Sequence, residues 1–171
     1  KQISLVRLQE VHIINAYTRL KENLNKMAYG SYFLELISEV MREKEPQAPL
    51  FDYLLSFLQA LEKSRQEELL SRLFEARLLP QIGWQPVLAH CLHCKQAPVA
   101  SPVYFSFLSG GVICRACQSA SRDLGEFQTL SLAALNYLYH MMSGEKGLTA
   151  QPTLGAELKR CLPLFLFHQL G

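Results

Sequence analysis

From Leu20 onward the apolar positions Leu24, Met27, Ala28, Leu34, Ile37, Val40 and Met41 recur at steps near three and four, the signature of a helix with one buried face. The pattern predicts one long helix over about 18–43. Gly30 falls inside it at a cost of about 1 kcal/mol relative to alanine, which points to close packing against a neighbour or a small break. The polar, proline-bearing run Glu43-Lys44-Glu45-Pro46-Gln47-Ala48-Pro49 reads as a loop, with Pro49 suited to the first turn of the next element. A second helix is expected over about 50–63, with Leu50, Leu54, Phe57, Leu58 and Leu61 as its inner stripe. Ser64 and Glu67 have capping-box spacing. They open a third helix over about 65–79, whose apolar face is Leu69, Leu70, Leu73, Phe74 and Leu78 and which Pro80 ends or kinks.

Farther along, the period changes. Val99 to Phe107 and Gly111 to Ile113 are rich in strand formers, and Leu108-Ser109-Gly110-Gly111 supplies a turn between them, so a β-hairpin is expected. Helical spacing then returns. Thr129 or Ser131 can cap a helix carrying Leu132, Leu135, Leu138, Tyr139 and Met142, closed by Ser143-Gly144-Glu145-Lys146-Gly147. A last helix over about 153–170 has the stripe Leu154, Leu158, Cys161, Leu162, Phe165 and Leu166, with Pro163 as a kink. Residues 1–15 are enriched in β-branched types and read as the end of a strand and a linker. The expected fold is mainly α, a helical bundle with an inserted four-cysteine ribbon. The expected divisions are 1–15 as the end of an upstream domain, 16–88 and 123–171 as two parts of a helical domain, and 89–122 as the insertion.

The insertion carries the strongest chemical signal. Cys91-Leu92-His93-Cys94 and Cys114-Arg115-Ala116-Cys117 are two CxxC knuckles separated by nineteen residues, which is zinc-ribbon spacing. Two such turns supply the tetrahedral sulfur set that zinc prefers, and four protein sulfurs leave no open position for water, so the metal would be structural. Two disulfides or a redox dithiol are the alternatives, disfavoured by the lack of a signal-peptide core and by the paired arrangement. His90 and His93 lie beside the first pair as substitute ligands, His93 being expected to face solvent. Cys161 falls on an apolar helix stripe, where a free cysteine behaves as a small hydrophobe.

Composition adds mainly exclusions. Apolar residues make up 49% of the 171-residue chain and charged ones 19%, as in folded soluble domains. No apolar run reaches the roughly 18–20 residues needed to span a bilayer. The first residues lack an initiator Met, so the chain reads as the interior of a longer protein. Net charge is only +2, and four thiolates with one divalent ion would cancel it. Residues 91–122 nevertheless hold Lys95, Arg115 and Arg122 and no carboxylate, a local basic island. No P-loop, dinucleotide fingerprint, nucleophile elbow or H-E-x-x-H motif occurs, so nothing supports catalysis. Phe51, Tyr53, Phe57 and Phe74 have the spacing of core residues.

Several segments stand in a distinctive order: Ala28-Tyr29-Gly30-Ser31-Tyr32-Phe33-Leu34-Glu35-Leu36, Leu50-Phe51-Asp52-Tyr53-Leu54-Leu55, Phe74-Glu75-Ala76-Arg77-Leu78-Leu79, and Ile82-Gly83-Trp84-Gln85-Pro86 before the first knuckle. Gly110-Gly111-Val112-Ile113-Cys114, Leu130-Ser131-Leu132 and Glu157-Leu158-Lys159-Arg160 to Phe167-His168-Gln169-Leu170 follow. Across nearly its whole length the chain resembles the RecO family of recombination mediators. It is similar to that family's carboxy-terminal part, without the amino-terminal OB-fold. The resemblance implies a non-catalytic, cytoplasmic, nucleoid-associated bacterial protein with a structural zinc. Its implied partners are single- and double-stranded DNA, the tail of single-stranded DNA-binding protein, RecR and, indirectly, the recombinase filament, with neither a membrane nor a small-molecule substrate.

For the acidic, apolar tail, chemistry asks for a hydrophobic pocket bordered by Lys or Arg, and Arg72, Arg77, Lys159 and Arg160 beside apolar stripes are the candidates. Lys95, Arg115 and Arg122 are the candidates for phosphate contact. The alternatives are a zinc-ribbon nucleic-acid-binding or assembly module of a larger enzyme, and a purely structural oligomerisation domain.

Overall fold

The computed structural model describes residues 9–41, 47–119, 125–145 and 151–170. Seven helices and a three-stranded sheet occur among them: α1 (Thr18–Lys21), α2 (Leu24–Val40), α3 (Ala48–Lys63), α4 (Glu67–Gln81), β1 (Val103–Ser106), β2 (Gly111–Ile113), α5 (Arg115–Gln118), β3 (Phe127–Leu130), α6 (Leu132–Ser143) and α7 (Pro152–Leu170). This is the mainly helical fold expected, with β-structure around the cysteines. None of the described helices is long and apolar enough to cross a membrane.

The single helix expected over 18–43 is instead two. Asn23 is extended and its Oδ1 accepts the Lys26 N–H at 3.1 Å, capping α2 and ending α1 just upstream. The buried face of α2 is also rotated from the expected stripe: Gly30, Phe33, Leu36 and Ile37 are buried, whereas Leu24, Met27 and Leu34 are exposed. Gly30 does mark a close approach, since a Cβ there would lie 3.4 Å from Leu20 Cδ2. The Ser64–Glu67 capping box does not form. Ser64 Oγ accepts the Gln66 N–H, and α4 begins at Glu67 without a side-chain cap. Ser131 does cap α6, accepting from the Ala134 N–H at 3.1 Å, and Gly144 ends that helix at φ 74°. Phe51 and Tyr139, expected inside, are exposed.

Helix α4 runs through the middle of the bundle and contacts α2, α3, α6 and α7. Phe74 stacks on Phe33 at 4.1 Å between ring centres and meets Phe57 edge-on at 5.2 Å, so one aromatic cluster joins α2, α3 and α4. Because α4 is surrounded, three of its polar residues are buried as well: Ser71, Arg72 and Glu75. Arg72 Nη2 lies 2.7 Å from Glu75 Oε1, and the Tyr32 hydroxyl donates to the same oxygen at 2.8 Å. Proline at 163 cannot supply the N–H that would otherwise bond to the Lys159 carbonyl, and Arg72 Nη1 donates to that freed carbonyl at 2.9 Å. One guanidinium therefore links α4 to the proline-interrupted turn of α7.

The sheet has the order β2-β1-β3, all antiparallel, and its third strand comes from beyond residue 122, unforeseen in the sequence. Val103, Phe105 and Phe107 are buried in the same core as the helices, Phe105 meeting Phe165 of α7 edge-on at 5.2 Å.

Burial pushes the Glu75 carboxyl up from 4.5 to about 7, against the opposing pull of Arg72, Tyr32 and Ser71. Between these values the folded chain binds more protons at this site than the unfolded chain, so the contribution of Glu75 to stability falls as pH rises through that window. Urea midpoints measured across it should decline more steeply for the native protein than for Glu75→Gln, the difference amounting to about 3 kcal/mol at most. Parallel profiles would contradict this assignment.

Candidate metal centre

The first knuckle is a tight turn. The Lys95 N–H donates to the Cys91 carbonyl at 2.9 Å and the Cys91 N–H to the Gln96 carbonyl at 2.8 Å, with Lys95 itself at φ 62°. This turn is tied to β2: the Leu92 N–H donates to the Val112 carbonyl at 2.8 Å and the Val112 N–H to the Val87 carbonyl at 3.0 Å. Gly111 makes that approach possible, because a Cβ there would meet the Val87 carbonyl oxygen at 2.9 Å. The second knuckle follows β2 directly, Cys114 standing at the N-cap position of the short α5 and Cys117 lying within it.

The four sulfurs of Cys91, Cys94, Cys114 and Cys117 lie within 4.8 Å of one another, Cys94 and Cys114 being 3.9 Å apart. Zinc–sulfur bonds of about 2.3 Å at tetrahedral angles separate ligands by about 3.8 Å, so the cluster fits a tetrahedral, thiophilic ion with small adjustments. A disulfide would bring two sulfurs to about 2.05 Å, and all five cysteines are free. Burial opposes ionisation of Cys91, but N–H groups of Cys114, Cys94 and His93 converge on its sulfur and bring its pKa down to about 6. Cys117 is pushed the other way, to about 12, first by its hydrogen bond with Cys114 and then by burial. Four neighbouring thiols cannot all ionise unless a cation joins them.

Neither histidine belongs to this cluster; His93 is exposed and His90 half-buried. Cys161 is fully buried in the helical core, and burial, with Glu75 nearby, raises its thiol to about 12.

The basic candidates separate into different settings. Lys95 and Arg115 are exposed beside the knuckles, while Arg122 lies outside the described residues. Arg72 is buried and engaged by Glu75, so its first role is structural. Arg77 donates from Nε to the Met141 carbonyl at 3.2 Å and from Nη2 to the Glu145 carbonyl at 3.3 Å, joining α4 to the end of α6. Lys159 is exposed and pairs with Glu68 at 3.0 Å, and Arg160 is exposed. Of the four, Arg72 and Lys159 border one cleft of about 440 Å³ between α4 and α7, lined also by Leu69, Gly155, Ala156 and the Lys159 partner Glu68. The burial of Arg72 and Glu75 was not foreseen, although an arginine and a glutamate three residues apart on a helix flanked by leucines were a usable signal.

The fold and this centre define a class: a helical domain with a cluster of four cysteines, placed so that they could hold a metal ion, beside its sheet. Residues 21–171 match the family described as "Recombination protein O C terminal". The DNA repair protein RecO of Symbiobacterium thermophilum is 33% identical over 171 residues, covering 95% of this chain and 66% of that protein. That of an Anaeromyxobacter species (strain K) is 31% identical over 173 residues, covering 98% and 66%. That of an Exiguobacterium species is 33% identical over 110 residues, covering 64% and 43%. The chain belongs to the RecO family and spans no more than 66% of the length of these relatives.

Replacing one ligand should cost the metal rather than the bundle. Cys114→Ser is expected to reduce bound metal, measured by mass spectrometry of the purified protein, from about one equivalent to a small fraction, whereas Cys161→Ser retains it. Full metal content in Cys114→Ser would remove that sulfur from the ligand set.

Proposed function

We propose that this chain forms the carboxy-terminal part of a non-catalytic mediator of DNA repair and recombination, acting in the bacterial cytoplasm at the nucleoid. The observation that carries the proposal is the family match over residues 21–171, with relatives named as DNA repair proteins. Zinc is the ion we assign to the four cysteines, since soft thiolates in a tetrahedral set suit it and a closed shell of four protein ligands fits a structural role. Cys91, Cys94, Cys114 and Cys117 hold it, and the ion fixes the two knuckles against β2. Nothing in this role calls for chemistry at the metal.

As a mediator the protein brings other molecules together: DNA in single- and double-stranded form, the single-stranded DNA-binding protein, RecR and, through them, the recombinase. Lys95, Arg115 and Arg122 are assigned to DNA phosphates, an electrostatic contact that weakens as salt rises. The acidic tail of the single-stranded DNA-binding protein is assigned to the cleft between α4 and α7. That cleft is lined by Leu69, Gly155 and Ala156 together with Lys159, which an acidic tail would draw from its partner Glu68, and with Arg72. Arg160, exposed one residue farther along α7, and Arg77, on the α6 side of α4, are outer contributors.

Fluorescence anisotropy with a labelled peptide ending in that acidic tail tests the assignment on the metal-loaded chain. Saturable binding is expected, weakened about tenfold or more by Lys159→Glu and less by Arg160→Ala. Binding indifferent to Lys159→Glu would move the tail to another surface.

A further inference from the structure

The sheet has two faces, and only one is used by the helical core. Side chains alternate along a strand, so Val103 and Phe105 of β1 face the helices while Tyr104 and Ser106 face away. The register sets Ile113 and Thr129 beside Tyr104, and Gly111 and Phe127 beside Ser106. This outer face is covered on one side only. Over β2, Ile113 is buried with Cys91 and Cys117, and Tyr104 packs against that small cluster. Over β3, Thr129 is exposed and Phe127 is 42% exposed. The rings of Tyr104 and Phe127 lie 5.6 Å apart at 74°, an edge-to-face corner at the boundary between the metal centre and the open strip.

The surroundings of this corner favour one kind of occupant. Arg115 on α5 and Lys95 in the first knuckle are exposed, and the chain has no Asp or Glu from Ala76 through Arg122. Glu126, adjoining Phe127 in sequence, limits that end to contacts with bases rather than phosphates. An exposed ring, Phe127, in contact with a half-buried one, Tyr104, on a sheet whose other edge carries exposed cations, offers the elements of a single-strand platform, in which rings stack on bases and cations follow the backbone. Duplex DNA offers such rings nothing, because its bases are already stacked.

We infer that Tyr104 and Phe127, with Arg115 and Lys95, form a binding site for single-stranded DNA in which the two aromatic rings stack on unpaired bases. This rests on the DNA-binding role proposed above and adds the aromatic pair that engages unpaired bases. The near-perpendicular rings suit one base lying flat on one ring with its edge against the other.

The test compares two fluorescein-labelled probes by anisotropy on the metal-loaded chain: oligothymidylate of about 20 nucleotides and a strand of equal length whose sugars lack bases. Both carry the same phosphates. The site predicts that oligothymidylate binds at least about fivefold more tightly, the gain expected from stacking a single base. Phe127→Ala, a change at an exposed side chain, should abolish that preference while leaving affinity for the base-free strand unchanged. Arg115→Gln should weaken both probes and lower the salt slope by about one. Metal content of each variant confirms that the knuckles remain formed. Equal binding of the two probes, or an undiminished preference in Phe127→Ala, overturns the stacking site while leaving DNA binding in place. Failure of both probes to bind overturns the DNA-binding role of this chain, and this site with it.

Discussion

Four sulfur atoms within 4.8 Å of one another are the constraint on which the β-region of this protein depends. As thiols they offer little mutual attraction, and as thiolates they repel; a divalent ion reverses the balance and makes their convergence favourable. Their positions follow from the backbone around them. The first knuckle is stitched to β2 through Leu92 and Val112, and Cys114 begins the second knuckle immediately after β2 ends. Ile113 is buried between the two. The cysteine cluster thus sits on one edge of the sheet, and the opposite edge is left to β3.

The helical half is held by a different device. Helix α4 is enclosed by its neighbours, and a wholly apolar helix there would have left the Lys159 carbonyl, released by Pro163, without a donor. Arg72 supplies it, Glu75 pairs with the guanidinium, and the Tyr32 hydroxyl donates to that carboxylate. Buried ion pairs of this kind contribute little net stability but penalise any arrangement in which one partner is left alone. Here they fix the rotation of α4 relative to α2 and α7, and with it the shape of the cleft beside Lys159. The same sheet that adjoins the cysteine cluster closes this core from the other side through Val103, Phe105 and Phe107.

Much of this was legible in the sequence, and the failures have physical causes. The two CxxC turns could be read because thiolate pairs at that spacing serve few other purposes. Helices α3 and α7 could be read because their apolar stripes are in phase with their burial, and α6 because Ser131 and Gly144 mark its ends even though Tyr139 turns to solvent. Helix α2 could not be phased, since Leu24, Met27 and Leu34 remain in solvent while Phe33 and Gly30 turn inward. Asn23, a good cap, was hidden in an otherwise continuous helical pattern. Strand β3 is only four residues, and its pairing comes entirely from β1, which no local pattern encodes. The sequence places Arg72 among the cations available to an acidic tail, and only the packing around α4 reveals the carbonyl and carboxylate that it serves.

The central claim is that one metal ion organises the knuckles and the sheet while the helices stand on their own core. Hydrogen exchange of the metal-loaded protein before and after chelation tests this most directly. Loss of protection confined to residues 87–118 and the β3 amides paired with β1, with α2, α3 and α4 unchanged, is the predicted result. Unaltered protection at Leu92 and Val112 after the metal has gone would contradict it.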